Sequence, residues 1–305
     1  MFPRPTCCPP LTDVIGPVLL VAAVGYGLGR ARVVDAPPLT APAVNVLVPA
    51  LTFYALATSA GADAVTWQIA GYLLLQFALL GSLTAVAARC GGWDRSRAVG
   101  LSLTTMFSNA GNAGLPLALF AWGPAGLGPA VGFFAVQSVA TSVLAPFLAA
   151  CAGADVRRAA RALLRQPVTY AAAAGVLAKI TGASFPAPIL NATQPLADGA
   201  IAIMLALVGV QLSTIRMRGD CGVVTFAALA RLAIAPGLAW LTAPLLGLDG
   251  LVRQTSILQA SLPTAVTAAI WASEFASVPG LVSTIVVVTT VLSPLTVTLL
   301  LTLLR

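Results

Sequence analysis

Ser108-Asn109-Ala110-Gly111-Asn112-Ala113-Gly114-Leu115-Pro116 is the stretch that decides the fold. It lies in the middle of an apolar segment covering 97–122, where an unbroken helix would otherwise run. Gly111 and Gly114 weaken that helix, and Pro116 removes a backbone donor and clashes with the preceding turn. Asn109 and Asn112 place two side-chain amides at the same point. A second interrupted segment covers 253–275, where Gln259-Ala260-Ser261-Leu262-Pro263-Thr264 repeats the pattern of polar side chains around a proline.

The rest of the chain says what surrounds these interruptions. Of its 305 residues, 59% are hydrophobic and 8% are charged. Soluble domains carry about 25% charged residues. A chain so apolar is suited to lipid, where each span needs roughly 20 mainly apolar residues. Ten candidate spans are read near 12–32, 41–60, 67–88, 97–122, 128–151, 167–183, 189–212, 222–247, 253–275 and 278–304. Long continuous apolar segments predict helices, since barrel strands would read as short alternating runs. The expected class is therefore an all-α integral membrane protein with about ten transmembrane helices. Unwound backbone at membrane depth is tolerated only where protein or a water-filled cavity covers it. The residues from Met1 to Pro10 carry no cleavable signal pattern.

The net charge of +7 invites a nucleic-acid partner, but its distribution argues for topology. With ten spans, one side receives Arg30, Arg32, Arg89, Arg95, Arg97, Arg157, Arg158, Arg161, Arg165, Arg216 and Arg218. The other receives Arg4, Lys179, Arg253 and Arg305. The positive-inside rule puts the richer side in the cytoplasm and both termini outside the inner or plasma membrane. No nucleic-acid partner is expected.

The sequence also repeats. Asn112 and Gln259 stand 147 residues apart in matching contexts, and Thr141-Ser-Val-Leu-Ala-Pro146 and Thr289-Thr-Val-Leu-Ser-Pro294 match at an offset of 148. The first unit covers 1–151 and the second 167–305, joined by a basic cytoplasmic linker, 152–166. Five helices per unit is an odd number, so the second unit enters from the opposite face. Inverted repeats of this kind are typical of secondary transporters, with the site at interrupted helices near the bilayer midplane.

Proline suits the first turn of a helix, so Pro116 and Pro263 are each expected to begin a second half-helix. The N-terminal end of each half-helix carries roughly +0.5 elementary charge and free N–H groups. Two such ends meeting at the midplane make a site for an anion such as a carboxylate. The candidate binding residues are Asn109, Gly111, Asn112, Gly114, Pro116, Gln259, Ser261, Pro263 and Thr264, with Asn45 in the second span and Gln137 in the fifth. The last two could line a cavity or join two helices by a hydrogen bond.

Ionisable groups inside spans are expensive and mark function or pairing. Asp198, Arg231 and Glu274 are the candidates for coupling. Asp198 or Glu274 could carry a proton, and Arg231 could pair with a carboxylate. The structural alternatives are a capping Asp198, a solvated Glu274 and an internally paired Arg231. The chain has no His, which excludes His relays, Ser-His chemistry and Zn-His chemistry. It has no phosphate-binding loop of the G-x-x-x-x-G-K-[ST] type, and no carboxylate dyad is evident. Cys7, Cys8, Cys90, Cys151 and Cys221 lack metal-ligand spacing. No metal, cofactor or enzymatic activity is expected.

The stretch Asn109-Ala-Gly-Asn112-Ala-Gly-Leu-Pro116-Leu117 resembles the Asn-Thr-Gly-Asn-X-Gly-(Leu/Phe)-Pro-Leu signature of the auxin efflux carrier family, with Ala110 in place of the usual Thr. Leu262-Pro263-Thr264-Ala265 resembles that family's second interruption, and Val48-Pro49-Ala-Leu-Thr-Phe53 its second-span motif. The likeness runs from about residue 12 to the C-terminus. It implies two inverted five-helix repeats with broken helices 4 and 9 crossed. It also implies a scaffold part of spans 1, 2, 6 and 7, which pairs in homodimers, and a transport part of spans 3–5 and 8–10 that moves like an elevator. Plant members export indole acetate, whereas bacterial members of this length are linked to malate, malonate or similar anions. The long central hydrophilic loop of the long plant carriers is missing here, which makes auxin an unsuitable expectation. The expected function is proton- or potential-driven transport of a small organic anion. The alternatives are a sodium-coupled carrier or channel of the same architecture, or an intramembrane enzyme or sensor.

Overall fold

The computed structural model describes residues 14–58, 63–151, 167–181, 183, 185–214, 220–274 and 278–304. The described residues are almost wholly helical and contain no strand. The elements are α1 (Gly16–Arg30), α2 (Ala36–Pro42), α3 (Val48–Thr58), α4 (Asp63–Cys90), α5 (Arg95–Met106), α6 (Leu115–Cys151) and α7 (Pro167–Thr181). They continue with α8 (Ala187–Thr214), α9 (Cys221–Leu229), α10 (Ala235–Thr242), α11 (Gly250–Ala260), α12 (Thr267–Glu274) and α13 (Pro279–Leu303). The expected linker 152–166 and the tail bearing Cys7 and Cys8 lie outside the described residues.

Six helical stretches among the described residues are long and apolar enough to cross a membrane: Ala36–Thr58, Val65–Cys90, Ala110–Ala145, Ala187–Thr214, Cys221–Leu246 and Pro279–Leu303. Gly16–Arg30 and Pro167–Ala178 are shorter apolar helices. The expected fourth span is divided, and its second half runs on into the fifth. The expected ninth is divided into α11 and α12, of 11 and 8 residues. Within α6 the direction changes at Gly123, whose φ of 66° and ψ of −161° belong to a region open essentially to glycine alone.

Three π-helical turns break the regular spacing, Ala43–Leu47, Ala110–Gly114 and Ala230–Ile234. Each ends two residues before a proline: Pro49, Pro116 and Pro236. The cause is common to all three. Proline offers no N–H to the carbonyl four residues earlier and its ring crowds that carbonyl, so the preceding turn widens.

The exterior is apolar. Leu295, Leu299 and Leu303 of α13 are 72%, 63% and 62% exposed at a spacing of four, which puts them on one helix face. Such a stripe is stable in contact with acyl chains. Inside, α1 and α8 pack backbone to backbone. A Cβ on Gly25 would stand 2.1 Å from the Ala206 carbonyl oxygen, and one on Gly209 would stand 1.8 Å from that of Ala22. Close approach through small residues is how helices associate in lipid, where the hydrophobic effect between them is absent. Helix α3 lies against α7 and α8. The remaining helices form a second group, with α4 on α5 and α10, α6 on α11, and α13 on α5, α9 and α12. The groups meet where Leu115, Ala118 and Val131 of α6 pack with Leu51, Ala172 and Met204.

Candidate functional site

The two interruptions cross each other. Ser108 and Thr264 form an antiparallel bridge. Asn109 donates its N–H to the Pro263 carbonyl at 2.8 Å, and Ala265 donates to the Phe107 carbonyl at 2.9 Å. Each unwound segment thus satisfies the other's backbone, the condition for non-helical chain at membrane depth. Thr264 adds two contacts: its hydroxyl donates to Thr104 O at 2.8 Å, and its N–H donates to the Thr289 hydroxyl at 3.2 Å. Gln137 holds the other strand of the crossing. Its Nε2 donates to Ser108 O at 2.7 Å, and its Oε1 accepts from the Ser108 hydroxyl at 2.6 Å. Gln137 therefore joins two helices, the second of the two roles open to it from the sequence.

Among the described residues Arg231 is the largest fully buried side chain, 1% exposed. Its guanidinium donates from Nε to Leu262 O at 2.7 Å, from Nη1 to Thr105 O at 2.9 Å, and from Nη2 to Ala260 O. Thr105 lies in the last turn of α5, and Ala260 ends α11. One cation thus sits on the C-terminal ends of both half-helices. It forms no ion pair with a described carboxylate. Of the two readings open from the sequence, a carboxylate partner or internal pairing, the backbone oxygens supply internal pairing. The dipoles of two helix ends and three convergent carbonyls supply the negative potential that a carboxylate would otherwise provide.

The N-terminal ends of the following half-helices lie on the other side of the crossing in the chain. Ala113 and Gly114 both donate to Asn109 O, so the N–H groups of Ala110, Gly111 and Asn112 precede the first closed turn. Asn109 is 5% exposed, and its side-chain Nδ2 has no protein partner. Gln259 is fully buried; its Nε2 reaches Ala130 O at 3.4 Å, and its Oε1 has no partner. Ser256, one turn earlier on α11, has an unpartnered hydroxyl. Buried polar groups are nearly always bonded, so a donor and an acceptor left over beside a helix N-terminus are groups a solute could satisfy.

The glycines of the motif serve close packing. A Cβ on Gly111 would lie 2.8 Å from the Phe134 ring and 3.2 Å from Met204, and one on Gly114 would lie 1.9 Å from Gln259 Oε1 and 2.6 Å from Leu262. The first interruption is thereby pressed against α8 on one side and against the second interruption on the other.

Two expectations are corrected. Pro116 is the second residue of α6 and follows the π-turn, so the break lies earlier, at Phe107 to Asn109. Pro263 lies within the crossing, and α12 begins four residues later at Thr267. A proline disfavours helical backbone at the residue before it, and Pro263 O is already engaged by Asn109. Asn45 is exposed in its π-turn and bonds back to Ala41 O at 2.8 Å. Asn112 is half-buried, and Ser261 bonds back to Ile257 O. Asp198 is exposed on α8 and makes no ion pair with a described residue. Glu274 ends α12, and its side chain lies outside the described residues. Cys90 and Cys221 are free and exposed. Ser108, Thr104, Thr105 and Ser256 also belong to the site. Their signal in the sequence was weak, because Ser and Thr in membrane helices mostly bond to their own backbone; Thr289 does both, bonding back to Ile285 O while receiving Thr264.

Six helical stretches of membrane-crossing length and an apolar exterior around a buried polar crossing make this a multi-pass membrane protein. Comparison with known proteins agrees. The profile of the family described as membrane transport protein matches residues 156–301. An "Uncharacterized transporter" of Methanothermobacter thermautotrophicus is 26% identical over 289 residues, covering 92% of this chain and 94% of that protein. A "Putative malonate transporter" of Rhizobium meliloti is 30% identical over 207 residues, covering 65% of each. The matched profile and both relatives are named for membrane transport, which places the chain with transporters rather than enzymes.

Proposed function

We propose that the protein is a secondary active transporter of a small organic anion, bound as a carboxylate beside the crossing and moved by an elevator-like exchange of access. The observation that carries this reading is the pair of interruptions bonded to one another, with unpartnered Asn109 Nδ2 and open N–H groups at the start of the second half-helix. Donors pre-arranged at a helix N-terminus bind carboxylates without ordering cost. The relative named for malonate supports a dicarboxylate as the first substrate to test.

The moving part in this reading is the group α4–α6 with α9–α13, and the scaffold is α1–α3 with α7 and α8. The ten spans then divide into two inverted five-helix repeats whose interrupted fourth and ninth members form the crossing. The scaffold also supplies the homodimer contact, and the membrane is the inner or plasma membrane. The drive is the proton gradient or the potential. A sodium-coupled carrier is disfavoured because Arg231 holds carbonyls at both half-helix C-termini, the groups that coordinate Na⁺ in discontinuous-helix transporters.

The test is uptake of labelled malonate, malate and a panel of monocarboxylates into proteoliposomes, with pH gradient and voltage set independently. Saturable uptake that Asn109→Ala weakens is the expected result. No uptake of any anion by folded protein would overturn the reading.

A further inference from the structure

Arg231 is a full charge with no described carboxylate paired to it, placed where two helix C-termini converge. Each C-terminal end carries roughly −0.5 elementary charge. The two ends together therefore match the guanidinium's single positive charge. Three of its donors are taken by Leu262 O, Thr105 O and Ala260 O, groups 31, 126 and 29 residues away in the chain. The π-turn before Pro236 carries Arg231, and a wide turn aims a side chain away from the regular helix face.

We infer that Arg231 is a tethered cation that occupies, permanently, the position a coupling cation would take at this crossing. Its consequence rests on the anion-carrier reading. With both C-terminal ends neutralised from within, the two N-terminal ends at Ala110 and Thr267 leave about one uncompensated positive charge at the site. Anion binding then completes the electrostatics without a bound Na⁺. The side chain is a positioning residue: it holds α5 and α11 at the angle that lets the second half-helices face the solute, and it does not touch the solute.

Two readouts test it, one independent of transport. In detergent, Arg231→Ala should melt below the wild type, and millimolar methylguanidinium should restore its melting temperature saturably. Tetramethylammonium, which has no N–H, should not, and the wild type should respond to neither. Arg231→Lys, which keeps the charge and three donors, should melt nearer the wild type than the neutral, similarly long Arg231→Met. If neither neutral variant is recovered folded while Arg231→Lys is, the requirement for a cation stands. A Met variant as stable as the wild type, or a Lys variant that fails together with the neutral ones, overturns the inference in favour of simple packing. In proteoliposomes at fixed pH and voltage, malonate uptake by the wild type should be unchanged when choline replaces Na⁺. Arg231→Met should lose uptake about tenfold or more, since a hydrogen bond to a charged group is worth at least that factor. Strong Na⁺ stimulation of the wild type overturns the inference. Uptake that fails for the wild type while methylguanidinium still rescues Arg231→Ala would remove the anion-carrier reading and leave the tethered cation in place.

Discussion

Asn109 donates its backbone N–H to the carbonyl of Pro263, 2.8 Å away, and through this bond the two interrupted helices hold one another open. Neither break can be healed alone, because closing one strips a buried backbone group in the other. Such a group costs about 1–3 kcal/mol when unsatisfied. The crossing is therefore a single mechanical unit.

Gln137 ties that unit to α6 through two bonds to Ser108. Gln137→Leu leaves the Ser108 hydroxyl and carbonyl unpaired at nearly constant volume. It should destabilise the protein by about 2–4 kcal/mol, read as a lowered melting temperature in detergent. Ser108→Ala removes only the hydroxyl and should cost less. Equal losses in the two variants would show that the carbonyl contact is idle.

Gly114 leaves no room for a methyl group, since its Cβ would stand 1.9 Å from Gln259 Oε1. Gly114→Ala should displace Gln259, reduce uptake and lower the melting temperature. Gly27, with open space around its Cβ position, is the control. Gly27→Ala should be neutral or stabilising by about 0.5–1 kcal/mol. Matching uptake in wild type and Gly114→Ala would separate this contact from transport.

Pro116→Ala restores an N–H to the carbonyl of Asn112 and allows the π-turn to close into regular helix. A change of register there rotates Asn109 and Asn112 against the crossing. Uptake should slow while the melting temperature holds or rises, because alanine is about 3 kcal/mol better than proline inside a helix. Uptake at the wild-type rate would mean that the π-turn persists without its proline.

Gly209→Ala tests the contact between α1 and α8. The new methyl would meet Ala22 O at 1.8 Å and Tyr26 N at 2.6 Å, backbone atoms that cannot swing aside. The helices must separate, and a loss of about 1–3 kcal/mol is expected. Thermal melting alongside Gly199→Ala, where nothing crowds the position, gives the comparison.

Much of this was legible in the residues. The apolar composition placed the chain in lipid, and Gly111, Gly114, Pro116 and Pro263 marked where its helices could not continue. These are local effects of backbone chemistry and need no partner. The two prolines misled in detail, since both were expected at the start of half-helices. Pro116 follows a π-turn, and Pro263 is held in the crossing itself. Asn45 was a candidate to line a cavity or join two helices, yet it bonds to its own helix.

By itself the sequence determined the solvent, the helical class and the two interruptions, because side-chain polarity and the missing proline N–H act over a few residues. Only the tertiary structure decided what each interruption bonds to. Thr105 lies 126 residues from Arg231, and Thr264 lies 160 from Thr104. Hydrogen bonds at such separations depend on how the helices come together. An arginine that the sequence left open between a carboxylate partner and internal pairing becomes the cation that holds two helix ends, because convergent carbonyls are created by the fold and by nothing in the adjoining residues.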